Sequence, residues 1–145
     1  MNFNDDGILD SGIHKMTWKE FYDFFSFSEW RKELLEGLEK VVVILREIGV
    51  ARIYIDGSFV TNEPEPNDWD ACYDCSFSQM DILKDIYPFG DKKEQKKRYK
   101  GELYFAGHCP YFLNRDVSFL DFFQQRKDKP ALKKGIVELI EQKML

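Results

Sequence analysis

From Trp30 to Ile48 apolar residues recur at intervals of three and four: Trp30, Leu34, Leu38, Val41, Val42, Leu45 and Ile48. That period is the stripe of an amphipathic helix. Ser28 is placed to cap its start, and Gly49 stands where helices commonly end on glycine. The pattern then changes abruptly. Arg52-Ile53-Tyr54-Ile55 is short and β-prone, and Gly57 ends it. A long helix with one apolar stripe thus leads directly into a strand, and its stripe must be buried against another layer.

The remaining segments supply one. Thr17 and Glu20 have capping-box spacing, which predicts a short helix over 17–25 with Trp18, Phe21, Tyr22, Phe24 and Phe25 on its apolar face. Residues 1–15 contain Gly7 and Gly12 without a clear period and read as an irregular lead-in. Asn62, Pro64, Pro66 and Asn67 mark residues 59–67 as a loop. Trp69 to Cys75 reads as a second strand, residues 78–87 as a helix with Ser78 as its cap, and Glu102 to Ala106 as a third strand. Residues 91–100 form a charged connection. Ser118 to Gln125 fits a short helix, and the segment from Lys134 onward fits strand or helix on period alone. At 145 residues, 43% hydrophobic and 16% aromatic, the chain has the size and composition of one domain spanning 1–145. The expected fold is α/β: a small mixed sheet, with strands Arg52–Asp56, Trp69–Cys75 and Glu102–Ala106 central, packed on the long helix.

Several classes are disfavoured. A formal charge of −5 argues against coating nucleic acid by charge alone. The basic run Lys92, Lys93, Lys96, Lys97, Arg98 and Lys100 is read first as a solvated loop, with contact to a polynucleotide as the alternative. The longest apolar stretch, Val41 to Leu45, is too short to cross a bilayer, and the acidic first ten residues lack a secretory signal. Three cysteines make no disulfide framework, so a reducing, cytoplasmic setting is expected. Cys72-x-x-Cys75 and His108-Cys109 could suggest zinc. On a strand, however, residues 72 and 75 point to opposite faces, and buried cysteines are the expectation.

The chemistry lies in Asp56-Gly57-Ser58, nine residues of loop, and Asp68-Trp69-Asp70. A glycine directly after a strand lets the backbone turn sharply and approach a ligand. Ser58 offers a hydroxyl and a backbone N–H to phosphate oxygens. Asp68 and Asp70, two apart on a strand, leave the same face with Cα atoms roughly 6.6 Å apart. Two bare carboxylates at that separation repel by on the order of 3 kcal/mol at an effective dielectric near 20. A divalent cation reverses the sign, and oxygen ligands at a partly open site suit Mg²⁺.

This arrangement resembles the DNA polymerase β-like nucleotidyltransferase superfamily. Its members carry a glycine-serine pair after a strand, a loop of about nine to thirteen residues, and Asp-x-Asp or Asp-x-Glu on the next strand. Gly57-Ser58 and Asp68-Trp69-Asp70 match at the short end of that spacing, within a matching helix–strand–loop–strand context over residues 28–75. The resemblance implies that Gly57 and Ser58 hold the triphosphate of a nucleoside triphosphate. It also implies that Asp68 and Asp70 coordinate Mg²⁺, or Mn²⁺ in its place, and that a third carboxylate on a neighbouring strand helps activate the attacking hydroxyl. Glu102 is the expected third carboxylate, with Asp116 and then Asp121 as rivals. The implied reaction is in-line transfer of a nucleoside monophosphate to a hydroxyl on protein, RNA or a small molecule, with pyrophosphate leaving. The sequence departs from the pattern at Asp56, where the superfamily usually has an apolar residue. It also leaves no room for the second, mostly helical domain of larger members, and so resembles the minimal bacterial and phage members, some of which work with a partner protein. Two other classes stand beside this reading: a non-catalytic nucleotide-binding or protein-interaction module of the same fold, and a structural interaction protein.

Overall fold

A computed structural model describes residues 2–50, 52–74, 77–86, 91–105 and 135–141. In chain order the elements are strand β1 (Gly12–Thr17), helix α1 (Trp18–Phe25), helix α2 (Glu29–Ile48), strand β2 (Arg52–Asp56), a 3₁₀ turn (Gly57–Val60), strand β3 (Trp69–Asp74), helices α3 (Phe77–Ile86) and α4 (Lys92–Tyr99), and strands β4 (Gly101–Phe105) and β5 (Gly135–Ile140). The five strands form one mixed sheet in the order β1-β5-β2-β3-β4. β2 pairs antiparallel with both β3 and β5, whereas β1–β5 and β3–β4 are parallel. The α/β architecture expected from the sequence is therefore the observed one. No helix among the described residues is long and apolar enough to cross a membrane.

Helix boundaries follow local chemistry. Thr17 and Glu20 form a complete capping box at α1. Ser28 Oγ accepts from the Arg31 N–H at the start of α2, and Gly49 closes that helix in the left-handed conformation at φ 88°. Four expectations need correction. The irregular lead-in ends before residue 12, because β1 begins there and finds its partner in β5, 123 residues further along the register pair Gly12–Gly135. Residues 92–99 are a helix rather than a connection: Asp91 caps it and Lys100 closes it at φ 65°. Ser78 lies inside the first turn of α3, not before it. The Glu102 strand is the sheet's edge, not its centre, and the C-terminal segment, ambiguous on period, is the interior strand β5. The segment expected as a helix over Ser118–Gln125 lies outside the described residues, as does Ala106.

One face of the sheet carries the main core. Ile53, Ile55, Ala71, Tyr73, Leu103, Val137 and Leu139 meet Leu34, Leu35, Leu38, Val41 and Leu45 of α2 and Phe21 and Phe25 of α1. Alternation sends the intervening residues to the opposite face. There Tyr54, Cys72 and Ile136 form a second, smaller buried cluster, with Tyr104 packed on it.

The first turn of α2 also organises the loop between β2 and β3. Arg31 is fully buried. Its guanidinium donates to the carbonyls of Glu63 (2.8 Å), Phe59 (2.8 Å), Thr61 (2.7 Å) and Phe25 (3.3 Å). It also lies 4.2 Å from the Phe27 ring centroid and 4.6 Å from that of Phe59. Burial lowers its pKa to about 10, so it stays charged at neutral pH. Ser28 Oγ donates to Pro64 O (2.7 Å) and Trp30 Nε1 to Pro66 O (2.5 Å). Proline-rich loops are short of N–H donors, and here the helix supplies donors to the loop's carbonyls. Arg31→Leu strands several buried carbonyls and is expected to destabilise the protein by about 3–5 kcal/mol. Arg31→Lys should recover only part, because a single ammonium cannot span four acceptors on different loop segments. Urea unfolding midpoints at unchanged slope check both.

Candidate functional site

β2 delivers Asp56 and then Gly57. The turn that follows needs φ of 75° at Gly57, a value that favours glycine. A Cβ built there would also lie 2.6 Å from Asp70 Oδ2. The backbone of the Gly57-Ser58 turn thus lies directly against the Asp70 carboxylate, and any side chain at 57 would push the two apart. Ser58 is exposed, and its carbonyl accepts from Thr61 Oγ1 at 2.6 Å, which tightens the turn.

β3 places the acids. Trp69 is buried in the core and donates Nε1–H to Tyr99 O at 2.7 Å. With Trp69 committed to the core face, Asp70 is turned to the other one. Across the ladders Asp56 is the register partner of Asp70, and Asp70 that of Glu102. Asp56, Asp70 and Glu102 therefore form a row across β2, β3 and β4, with Tyr54, Cys72 and Tyr104 as the next row. Asp68, just before β3, is drawn to the same side by a shared cation: Lys96 Nζ is 3.3 Å from Asp68 Oδ2 and 3.0 Å from Glu102 Oε1.

That cation comes from α4, whose position is fixed by the edge of the sheet. The outward backbone groups of Leu103 would otherwise be open, but Gln95 Oε1 accepts from Leu103 N–H (3.0 Å) and Lys92 Nζ donates to Leu103 O (2.8 Å). The C-terminal end of α4 packs so closely on α2 that a Cβ at Gly37 would lie 2.0 Å from Tyr99 O. Docked this way, α4 brings Lys96 to the acids and Lys92 to 3.9 Å from the Tyr104 ring centroid.

The electrostatics follow from the packing. Desolvation pushes the Glu102 carboxyl up. Hydrogen bonds from Tyr104 and Lys96, with the charges of Lys96 and Lys92, outweigh it and hold Glu102 below its ordinary value. The same bonds to Glu102 and Asp68 raise Lys96. Burial lowers Lys92 against the pull of Glu102 and Asp70. Tyr104 is pushed far up by desolvation and by its bond to Glu102. Desolvation and the Asp56 carboxylate raise the Cys72 thiol well above its usual range, so it is a buried, unreactive cysteine as expected. Cys75, His108 and Cys109 lie outside the described residues.

Among the expected site residues the structure brings together Gly57, Asp70, Glu102 and, through Lys96, Asp68. Asp116 and Asp121 lie outside the described residues. The oxygen donors have the right chemistry for Mg²⁺, and a cation already sits between Asp68 and Glu102 in the form of the Lys96 ammonium. Among the described residues, however, no three His, Cys, Asp or Glu converge closely enough to hold a metal as they stand. The sequence reading set Lys92 and Lys96 in a basic run, not beside the acids, and missed Arg31. The first two are spaced i, i+4 and so share one helix face, and Arg31 lies three residues before Leu34 on the buried stripe; either spacing could have drawn attention to them.

The molecule is thus a mixed-sheet α/β protein with a lysine-neutralised row of acids beside a glycine turn. Residues 1–140 match the Family of unknown function (DUF6932), and the chain belongs to that family. No curated protein and no solved structure matches the chain.

Because Glu102 is held below its reference value of 4.5, its contribution to stability is complete above that value and is lost as pH falls through the lowered folded value. Lys96→Met removes both a hydrogen bond and a charge, and should move the Glu102 titration upward. Carboxyl-detected NMR of wild type and variant would show it; coincident curves would mean that Lys96 does not hold Glu102.

Proposed function

We propose that this chain is a metal-dependent nucleotidyltransferase that moves a nucleoside monophosphate from a nucleoside triphosphate to a hydroxyl acceptor on protein, RNA or a small molecule. The observation that carries the reading is the contact of the Gly57 turn with Asp70, with Glu102 in register beside Asp70 and Asp68 joined to Glu102 through Lys96. A phosphate-binding turn and a set of acids from separate strands are what such a transfer needs in one place.

In this reading the Ser58 hydroxyl and the turn's N–H groups hold phosphate oxygens. Gly57 keeps the backbone close enough for the phosphates to reach the acids. Asp68, Asp70 and Glu102 would hold Mg²⁺, or Mn²⁺ in its place. The bound ion would supply charge neutralisation and a more acidic acceptor hydroxyl. Lys96 exchanges its carboxylate partners for phosphate oxygens as nucleotide enters. Glu102, kept ionised by Lys96 and Tyr104, accepts a hydrogen bond from the acceptor hydroxyl and orients it. A cytoplasmic site of action is part of this reading, as the cysteine content of the sequence suggests.

One observation favours a second reading. Lys96 already neutralises Asp68 and Glu102, as it would in a non-catalytic nucleotide-binding or protein-interaction module of this fold.

Incubation with each α-labelled nucleoside triphosphate and Mg²⁺, against cell RNA and lysate, separates the two. The enzyme transfers label, and Asp70→Asn lowers transfer by about 10²–10³-fold, the scale on which loss of a key charge-stabilising group acts. Mg²⁺-dependent nucleotide binding without transfer points to the module. Neither binding nor transfer removes both readings.

A further inference from the structure

Beside the row of acids lies a cleft of about 380 Å³ bordered by Trp30, Leu34, Asp68, Lys96, Lys97 and Lys100. Its volume is in the range of small-ligand sites, and three features set its chemistry. The Trp30 indole forms an aromatic wall whose orientation is fixed by the Nε1 bond to Pro66 O. Lys100 Nζ lies 5.8 Å from that ring's centroid. Lys96 is engaged by Asp68 and Glu102, whereas Lys97 and Lys100 make no ion pair among the described residues. In a chain of net charge −5, residues 92–100 hold six basic side chains and one acid, Glu94, which is paired with Arg98.

The positive charge extends beyond the cleft. Lys93 is exposed one helical turn before Lys97 on α4, about 6 Å along the axis, and Lys100 closes the end of that helix. A single mononucleotide in the cleft would meet Lys97 and Lys100 and leave Lys93 unused. A ligand with successive phosphates reaches all three. An aromatic wall with a line of lysines is the recognition chemistry of single strands, since every base has a face to stack and every nucleotide a phosphate.

We propose that the cleft and the α4 lysines bind the end of a single-stranded polynucleotide, with the terminal base against Trp30 and the phosphates along Lys100, Lys97 and Lys93. Asp68 and Lys96 border the cleft, and Lys96 bridges Asp68 to Glu102 of the row, so the bound end is presented to the carboxylates. As the assignment of an acceptor class, this rests on the transferase reading above; as a binding site, it stands without it.

The test uses the full chain without nucleotide or Mg²⁺, and fluorescence anisotropy of a labelled single-stranded RNA of about ten nucleotides. Wild type should bind, and weaken steeply between about 50 and 200 mM salt. Lys97→Ala/Lys100→Ala should weaken binding about tenfold or more and reduce the log–log salt slope by roughly 1–2. Trp30→Leu, with folding checked by circular dichroism, should weaken it about fivefold or more, and Trp30→Phe less. The lysine pair is exposed and keeps the test decisive if Trp30→Leu does not fold. No binding at low salt, an unchanged affinity in the lysine variant, or competition by AMP equal mole for mole to the RNA would each overturn the proposal. RNA binding here, together with no label transfer in the nucleotide incubation described above, would sink the transferase reading and leave this site standing.

Discussion

The buried guanidinium of Arg31 is the interaction on which the rest of the site's geometry depends. One charged group in the first turn of α2 gathers carbonyls from Phe59, Thr61 and Glu63, together with Phe25 at the end of α1. Among the described residues it makes no hydrogen bond to a carboxylate, and its desolvation is offset by charge-assisted bonds to main-chain oxygens, by the charge of Glu63 and by the faces of Phe27 and Phe59. The connection from Ser58 to Asp68 is thereby held to the helix at several points. A loop that long carries a substantial ordering entropy, and Arg31, Ser28 and Trp30 offset it from a single helical turn.

The opposite flank depends on β4, the last strand of the sheet among the described residues, whose outward groups are met by side chains. Gln95 and Lys92 satisfy the outward groups of Leu103, and in doing so they set the position and rotation of α4. The docking that protects the edge also delivers Lys96 to Asp68 and Glu102. Protection of the sheet and neutralisation of the acids are therefore one structural event. A chain with an acidic excess thus has a concentrated positive face next to its most acidic row, and local charge, not the net value, governs what can approach there.

Much of the fold was legible in residue order. The α2 stripe, its Ser28 cap and Gly49 stop, the capping box at Thr17 and the strands around Gly57 and Trp69 all depend on short-range spacing and backbone preference, and all appear where the sequence places them. The α4 helix was less legible: a lysine-rich run without an apolar stripe gives little periodic signal, and its stability comes from the Asp91 cap and from packing. Strand order was not legible. β1 and β5 pair across more than a hundred residues, and a short apolar run such as Gly135–Ile140 has no period that separates strand from helix.

For the candidate site the division is similar. The sequence by itself determined which groups are available and how they alternate: a glycine free to turn at positive φ, a serine after it, and two aspartates flanking a tryptophan that the core claims. Those are consequences of one residue's conformational range and of the two-residue period of a strand. Only the tertiary structure decided that Glu102 stands in register with Asp70, that Lys96 lies between Asp68 and Glu102, and that Arg31 fixes the intervening loop. Each of those contacts joins segments from different elements, and their geometry is set by sheet register and helix docking, which short-range spacing does not encode.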